Sequence, residues 1–174
     1  IVGYNDGTIR NAYNIANIKI TNYDHVGGIA GGQARNSLIE NVYNTGNIHG
    51  RYYVGGLVGY VSGTVQNGYS VGVTTAVGQP GGVLGTADGN AIAKNLYYDM
   101  SVMMTSKLSG TKATTAIAGL VDKDDIKGLT TAALSGGYLP DAVFDDGIFK
   151  FRSNQAYQAY HPQLTAFADS TLSY

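Results

Sequence analysis

The chain has 174 residues, of which 44% are hydrophobic, so it is long enough for one domain with a sizeable core. Its 11 basic and 12 acidic residues leave a net charge of −1, which excludes bulk electrostatic attraction to nucleic acid or an anionic membrane. The absence of Cys excludes disulfides, thiolate catalysis and cysteine-based zinc sites. No apolar stretch predicts a membrane span, so we expect no membrane insertion.

Two short motifs repeat in phase through the first half of the chain. The first is an apolar pair followed by Gly, and it recurs at intervals of 28, 28 and 26 residues: Ile1-Val2-Gly3, Ile29-Ala30-Gly31, Leu57-Val58-Gly59 and Val83-Leu84-Gly85. The second is an Asn-x-Tyr block that lies between copies of the first: Asn11-Ala12-Tyr13, Asn41-Val42-Tyr43, Asn67-Gly68-Tyr69 and Asn95-Leu96-Tyr97. Self-similarity at a fixed period predicts stacked structural repeats.

Each repeat predicts strands rather than helices. Runs such as 54–60 and 64–69 alternate apolar and polar residues and are bounded by Gly and Asn, which is typical of strands of about four to six residues. A period of about 28 residues with two or three such strands predicts one coil of a right-handed parallel β-solenoid. The predicted fold class is therefore all-β, with three to four coils over residues 1–99.

Stacked coils place equivalent residues in columns. Ile9, Ile39 and Val65 predict an internal aliphatic column, and the four Asn of the second motif predict a ladder at a corner, because Asn tolerates a left-handed backbone. The four Tyr of the same motif predict a stacked column. Whether these rings face inward or outward depends on the bend at each Asn, so both orientations stay open.

Residues 100–174 do not continue the repeat, and they predict a small mixed C-terminal cap. The segment from Asp122 through Leu134 predicts one short helix, with Gly136 and Gly137 after its end. The run 148–157 predicts a β-hairpin. A cap is needed because bare edge strands pair with other chains. The open N-terminal end predicts further coils or another domain of the same parent chain before Ile1.

The pattern at Val54 to Gly59, followed by Asn67 to Tyr69, resembles the GLUG-motif repeats of bacterial extracellular proteins. GLUG repeats are similar across adhesin-like exoproteins and the N-terminal regions of some immunoglobulin A peptidases. The resemblance implies a bacterial cell-surface or secreted location and a structural or adhesive role, with a glycan or an extracellular protein as ligand. It supplies no catalytic residues. The alternative is an accessory domain that positions substrate for an exported peptidase or carbohydrate-active enzyme.

Residues for catalysis or metal binding are sparse. Glu40 is the only Glu, so a glycosidase would depend on Asp pairs. The acidic clusters at 122–125 and 145–146 are interpreted as solvated surface or helix caps, with calcium binding and catalysis as alternatives. His25 and His49 lie in turns of adjacent repeats, and two solvated histidines are the simpler interpretation than a metal pair. We therefore expect neither an enzyme nor a cofactor.

Aromatic side chains are the recurring functional resource. Tyr23, Tyr52 and Tyr53 precede the Gly pairs in loop-like stretches, which makes them the candidate ligand-binding residues. Exposed Tyr rings stack on sugar faces and anchor protein contacts. The alternative is that these three rings pack neighbouring coils together.

Overall fold

The repeats form a parallel β-solenoid of about four turns, as the sequence predicts. The computed structural model describes residues 1–78, 80–105, 111–112, 125–136, 147, 149–150 and 162–164. The first three coils each contribute one strand to each of three sheets, the fourth coil contributes to two of them, and equivalent strands of successive coils pair in parallel. The parallel pairing means that equivalent residues of successive coils become neighbours.

The three sheets take their strands in coil order. Sheet A contains β1 (Val2–Asn5), β5 (Ala30–Gln33), β9 (Val58–Val61) and β12 (Leu84–Ala87). Sheet B contains β2 (Thr8–Asn14), β6 (Leu38–Asn44), β10 (Thr64–Ser70), β13 (Ile92–Asp99) and β15 (Ile126–Leu129). Sheet C contains β3 (Ile18–Lys19), β7 (Ile48–Gly50), β11 (Thr74–Ala76) and the antiparallel β14 (Thr111–Lys112).

Shorter elements complete the described chain. β4 (Val26–Gly27) pairs in parallel with β8 (Val54–Gly55), just before the strands of sheet A. β16 (Phe149–Lys150) pairs with β17 (Gln163–Leu164) in antiparallel fashion. The helices are α1 (Met100–Thr105) and α2 (Thr131–Gly136). No helix among the described residues is both long enough and apolar enough to cross a membrane.

The aliphatic column lies inside the solenoid as predicted. Ile9, Ile39 and Val65 are register partners in sheet B, and Ile39 and Val65 are fully buried in the central cluster. Val42 is buried in the same cluster although it lies three residues after Ile39. Simple alternation would place these two on opposite faces. The intervening Asn41 has a φ of 55°, and this left-handed residue resets the alternation.

The asparagine ladder is also confirmed. All four Asn of the second motif have φ between 50° and 55°. The Nδ2 of Asn41 donates to Oδ1 of Asn11 over 3.2 Å, Asn67 donates to Asn41 over 3.3 Å, and Asn95 donates to Asn67 over 3.0 Å. Each side-chain amide thus donates a hydrogen bond to the amide oxygen of the preceding coil. This bond offsets the free-energy cost of the left-handed backbone at the same residue.

Close contact between coils explains the recurring Gly. A Cβ added at Gly31, Gly59 or Gly85 would lie 2.5–2.7 Å from the carbonyl oxygen of the equivalent Gly one coil earlier. At Gly3, in the first coil, such a Cβ would meet no atom within 4 Å. Among the glycines of the described residues only Gly147 has a positive φ, so steric exclusion rather than backbone conformation selects Gly at these positions.

The tyrosine column faces away from the solenoid interior. Tyr43 follows the buried Val42 in β6, but its ring belongs to a second cluster. Stacking continues along the column, with ring centroids 5.1 Å apart between Tyr13 and Tyr43 and 5.2 Å apart between Tyr43 and Tyr69, and nearly parallel planes. Three side chains of the C-terminal segment pack in this second cluster: Leu134, Phe149 and Leu164. The outward rings of Tyr43, Tyr69 and Tyr97 are therefore buried together with side chains of the C-terminal part, whereas Tyr13 is only partly buried.

The prediction of a helix between Asp122 and Leu134 is wrong for the middle of that segment. Residues 126–129 form β15, which pairs in parallel with β13 and extends sheet B by one strand. The helix begins at Thr131 and includes Gly136. Pairing with the edge of the last repeat coil overrides local helix propensity, because it satisfies the backbone groups of that edge. Residues 122–124 lie outside the described residues.

The structure describes only part of the first strand of the predicted hairpin. Residues 149–150 form β16, which pairs with β17, so Phe149 is the register partner of Leu164. The proposed second strand and its turn lie outside the described residues. Phe149 is buried against the tyrosine column, with its ring centroid 5.6 Å from that of Tyr69.

Candidate functional site

A groove of about 450 Å³ opens at the outer surface of sheet A. We call it the aromatic groove, and its lining residues are Gly3, Tyr4, Asp24, His25, Gly32 and Tyr60. Tyr4 is 62% exposed. Val61, the residue after Tyr60, is fully buried, so the strand itself is anchored in the core while its tyrosine reaches the surface. Sheet A therefore carries the side chains of Tyr4 and Tyr60 on a rigid base.

One register position of sheet A forms the floor of the groove. Tyr4 pairs with Gly32, and Gly32 pairs with Tyr60. Glycine at this position in the second coil leaves room beside the aromatic residues of the first and third coils. A Cβ at Gly32 would lie 2.8 Å from Cδ2 of Tyr4, which shows that the Tyr4 ring lies over the glycine.

His25 forms one wall of the groove. Its ring stacks on that of Tyr53, with centroids 5.0 Å apart and an interplanar angle of 18°, and lies 5.5 Å from the ring of Tyr60. His25 and Tyr53 each precede the paired strands β4 and β8, and both have left-handed backbones with φ of 59° and 52°. The same unusual conformation in successive coils places the two rings face to face.

Hydrogen bonds fix the polar end of Tyr60. Asp88 accepts from the Ser62 hydroxyl over 2.6 Å and from the Tyr60 hydroxyl over 3.3 Å. The Ser62 bond is the main reason that the pKa of Asp88 is lowered, and desolvation followed by the Asp88 charge raises the pKa of Tyr60. At neutral pH the carboxylate is thus ionised and the phenol is protonated.

The structure brings one of the three predicted binding residues to this groove. Tyr53 is at its edge through the stack on His25. Tyr23 directly precedes the lining residue Asp24 and is 74% exposed. Tyr52 instead has the Arg51 guanidinium 5.0 Å from its ring centroid and lies against Gly78.

Sequence reasoning missed Tyr4, His25 and Tyr60 as site residues. Tyr4 and Tyr60 each follow the Gly of the first repeated motif, whereas Gly32 occupies that position in the coil between them. Comparing the repeats at that single position would have revealed an aromatic pair separated by a glycine. His25 is exposed outside the strands, as the sequence predicts, but its stacking on Tyr53 has no sequence signature.

His25 and His49 do not come together as a metal pair. His25 lines the aromatic groove, whereas His49 lines a second groove on sheet C and contacts Thr75. In the parts of the chain that the structure describes, no three His, Asp or Glu side chains gather as metal ligands. Of the acidic clusters, only Asp125 lies within those parts.

Comparison with known protein families places one recognisable motif in this fold. The GLUG motif matches residues 22–48, the stretch that runs from just before β4 into β7, and this confirms the resemblance found in the sequence. The matched stretch includes Asp24, His25 and Gly32 of the aromatic groove. No curated protein and no solved structure matches the chain.

Proposed function

We propose that this GLUG-motif β-solenoid is an extracellular repeat module of a larger bacterial surface or secreted protein, and that it binds carbohydrate in the aromatic groove. The observation that carries the proposal is the register Tyr4–Gly32–Tyr60, which places two aromatic residues around a glycine floor. The GLUG motif supports the extracellular setting.

A saccharide suits the chemistry of the groove. Sugar rings have apolar faces that stack on aromatic rings, and hydroxyl groups that donate to carboxylates. The groove offers the rings of Tyr4, His25 and Tyr60, together with the carboxylate of Asp24. Its volume of about 450 Å³ is within the ordinary range for a small-ligand site.

The proposal is for binding without catalysis. Acid-catalysed glycoside cleavage uses a carboxyl group whose pKa is raised, so that it can donate a proton. Asp88, the carboxylate bonded to Tyr60, is not among the lining residues, and its pKa is lowered instead, so it does not supply such an acid. Its hydrogen bonds from Ser62 and Tyr60 suit the role of fixing a tyrosine in place.

A glycan array probed with the purified chain tests the proposal. We expect saturable binding by the wild type and at least about tenfold weaker binding by Tyr4→Ala and by Tyr60→Ala. Tyr52→Ala is the matched control, because it removes an exposed tyrosine that contacts Arg51 rather than the groove. Gly32→Ala should also weaken binding, since it displaces only the Tyr4 ring.

Thermal unfolding of each variant checks that the solenoid is intact. Equal binding by the wild type and both groove variants would show that the groove is not the site. Absence of binding to every glycan would contradict carbohydrate recognition and favour a spacer role. The extracellular setting has its own test, since the chain in its native host should be accessible to protease added outside intact cells.

A further inference from the structure

A second groove, of about 230 Å³, lies on sheet C and shares no lining residue with the first. We call it the donor groove, and its lining residues are Asn17, Ile18, Lys19, Asn47, Ile48, His49 and Thr75. Lys19, His49 and Thr75 occupy one register position in three successive coils. Ile48, the residue before His49, is fully buried, so the register carries its polar side chains on the outer face.

His49 is held in a fixed orientation in this groove. Its Nδ1 lies 2.8 Å from Oγ1 of Thr75, which is itself only 2% exposed. A bond to a buried hydroxyl leaves Nε2 as the ring nitrogen available to a ligand. Lys19, one strand away, is exposed and brings a positive charge to the same face.

The two asparagines present their donor ends. Oδ1 of Asn17 accepts from the backbone N–H of Asn47 over 2.8 Å, and Oδ1 of Asn47 accepts from the N–H of Val73 over 2.9 Å. Because each carbonyl oxygen is already bonded to the next coil, each side chain offers its Nδ2 amide to the groove. Both residues are exposed.

Among the residues that the structure describes, the lining therefore combines a lysine, an oriented imidazole and two amide donors, and it includes no carboxylate. An acceptor with negative charge satisfies such a set, whereas a neutral sugar would leave the lysine unpaired. We propose that the donor groove binds an oxyanion, namely the carboxylate or sulfate group of an acidic saccharide. The aromatic groove, lined by Asp24, would disfavour the same ligand, so the two sites differ in whether they accept a negatively charged group.

Titration of the isotopically labelled full chain, followed by nuclear magnetic resonance, tests this site. The probes are sodium glucuronate, sodium sulfate and glucose, at an ionic strength held constant with sodium chloride. We expect glucuronate to shift the backbone resonances of 47–49 and 73–75 saturably, and glucose to leave them unchanged. Lys19→Gln should weaken this binding about tenfold, and Lys19→Arg should restore it.

Lys94→Gln is the matched control, because Lys94 is an exposed lysine on β13 of sheet B. Saturable shifts with glucuronate alone would identify an acidic-saccharide site, and shifts with both glucuronate and sulfate would identify an oxyanion site without ring specificity. Equal weakening by Lys19→Gln and Lys94→Gln, equal shifts with glucose, or no shift with any anion would overturn the proposal. A negative result for the donor groove would not contradict carbohydrate binding in the aromatic groove, since these variants do not change Tyr4 or Tyr60.

Discussion

Asn67 donates from its side-chain amide to Oδ1 of Asn41 over 3.3 Å, and both residues have left-handed backbones, with φ of 52° and 55°. The side chain of Asn67 thus links two coils. Its left-handed backbone also turns the next residue of the strand toward the solenoid interior. Both properties are needed at the same place, which explains why Asn recurs there in every coil.

Replacing Asn67 separates its two properties. Asn67→Ala should lower the free energy of unfolding by about 1 to 3 kcal/mol, because it breaks the ladder and strains the left-handed backbone. Asn67→Gly should cost less, because Gly adopts the left-handed backbone without strain and loses only the two ladder bonds, to Asn41 and from Asn95. Chemical denaturation measures both. A larger loss for Gly than for Ala would contradict the argument, and the exposed Asn22→Ala should be neutral.

Equivalent glycines should differ sharply in their tolerance of a methyl group. Gly59→Ala places a Cβ 2.5 Å from the carbonyl oxygen of Gly31, so we expect a loss of about 3 kcal/mol or more, or failure to fold. Gly3→Ala adds a Cβ that meets no atom within 4 Å, so stability should be almost unchanged. Equal melting temperatures for the two variants would show that contact between coils does not select glycine.

The buried phenol of Tyr69 should make the free energy of unfolding fall at alkaline pH. Burial, followed by the neighbouring Tyr43, raises the pKa of Tyr69 well above its ordinary value, so the folded state favours the protonated phenol. The associated stability is fully present below the unfolded pKa of about 10 and is lost as pH rises above it. Denaturation across this range should show a smaller alkaline loss for Tyr69→Phe than for the wild type. Identical pH profiles would contradict this assignment.

The same variant has a cost at neutral pH. The Tyr69 hydroxyl donates to the carbonyl oxygen of Pro162, and both residues are buried. Losing the donor leaves that oxygen without its bond, so Tyr69→Phe should be less stable by about 1 to 3 kcal/mol at pH 7. Tyr23→Phe, which alters an exposed hydroxyl, is the control.

Asp88 should control the ionisation of Tyr60. Asp88→Asn removes the negative charge and should lower the pKa of Tyr60, although desolvation, the larger cause, keeps that pKa above its ordinary value. Carbon-13 resonances of labelled tyrosine report the titration of Tyr60 by itself. A pKa that does not change in Asp88→Asn would show that the carboxylate exerts no influence on the phenol.

The architecture could be predicted because each coil repeats the same contacts. Ile9, Ile39 and Val65 appear in phase in the sequence, and parallel stacking makes them a column in space. The outward direction of the Tyr43 ring could not be predicted in the same way, because it depends on φ at Asn41. One residue in a left-handed conformation reverses every orientation that follows it in the strand.

The aromatic groove was harder to predict because its residues are far apart in sequence. Tyr4 and Tyr60 come from the first and third coils and meet only across Gly32. Tyr52 and Tyr53 are adjacent in sequence but have different partners, Arg51 and His25. The local sequence of β15 predicts part of a helix. The segment is extended because its backbone pairs with β13, and this tertiary contact leaves no local sequence pattern.

The tyrosine column gives the protein an optical property of its own. The chain contains no Trp, so tyrosine alone provides its intrinsic fluorescence. The rings of Tyr13, Tyr43 and Tyr69 are nearly parallel, with successive centroids 5.1 and 5.2 Å apart, and we expect rings at this spacing to exchange excitation. We therefore expect the near-ultraviolet spectrum, to which the chain's 14 Tyr contribute, to change when successive coils lose their register.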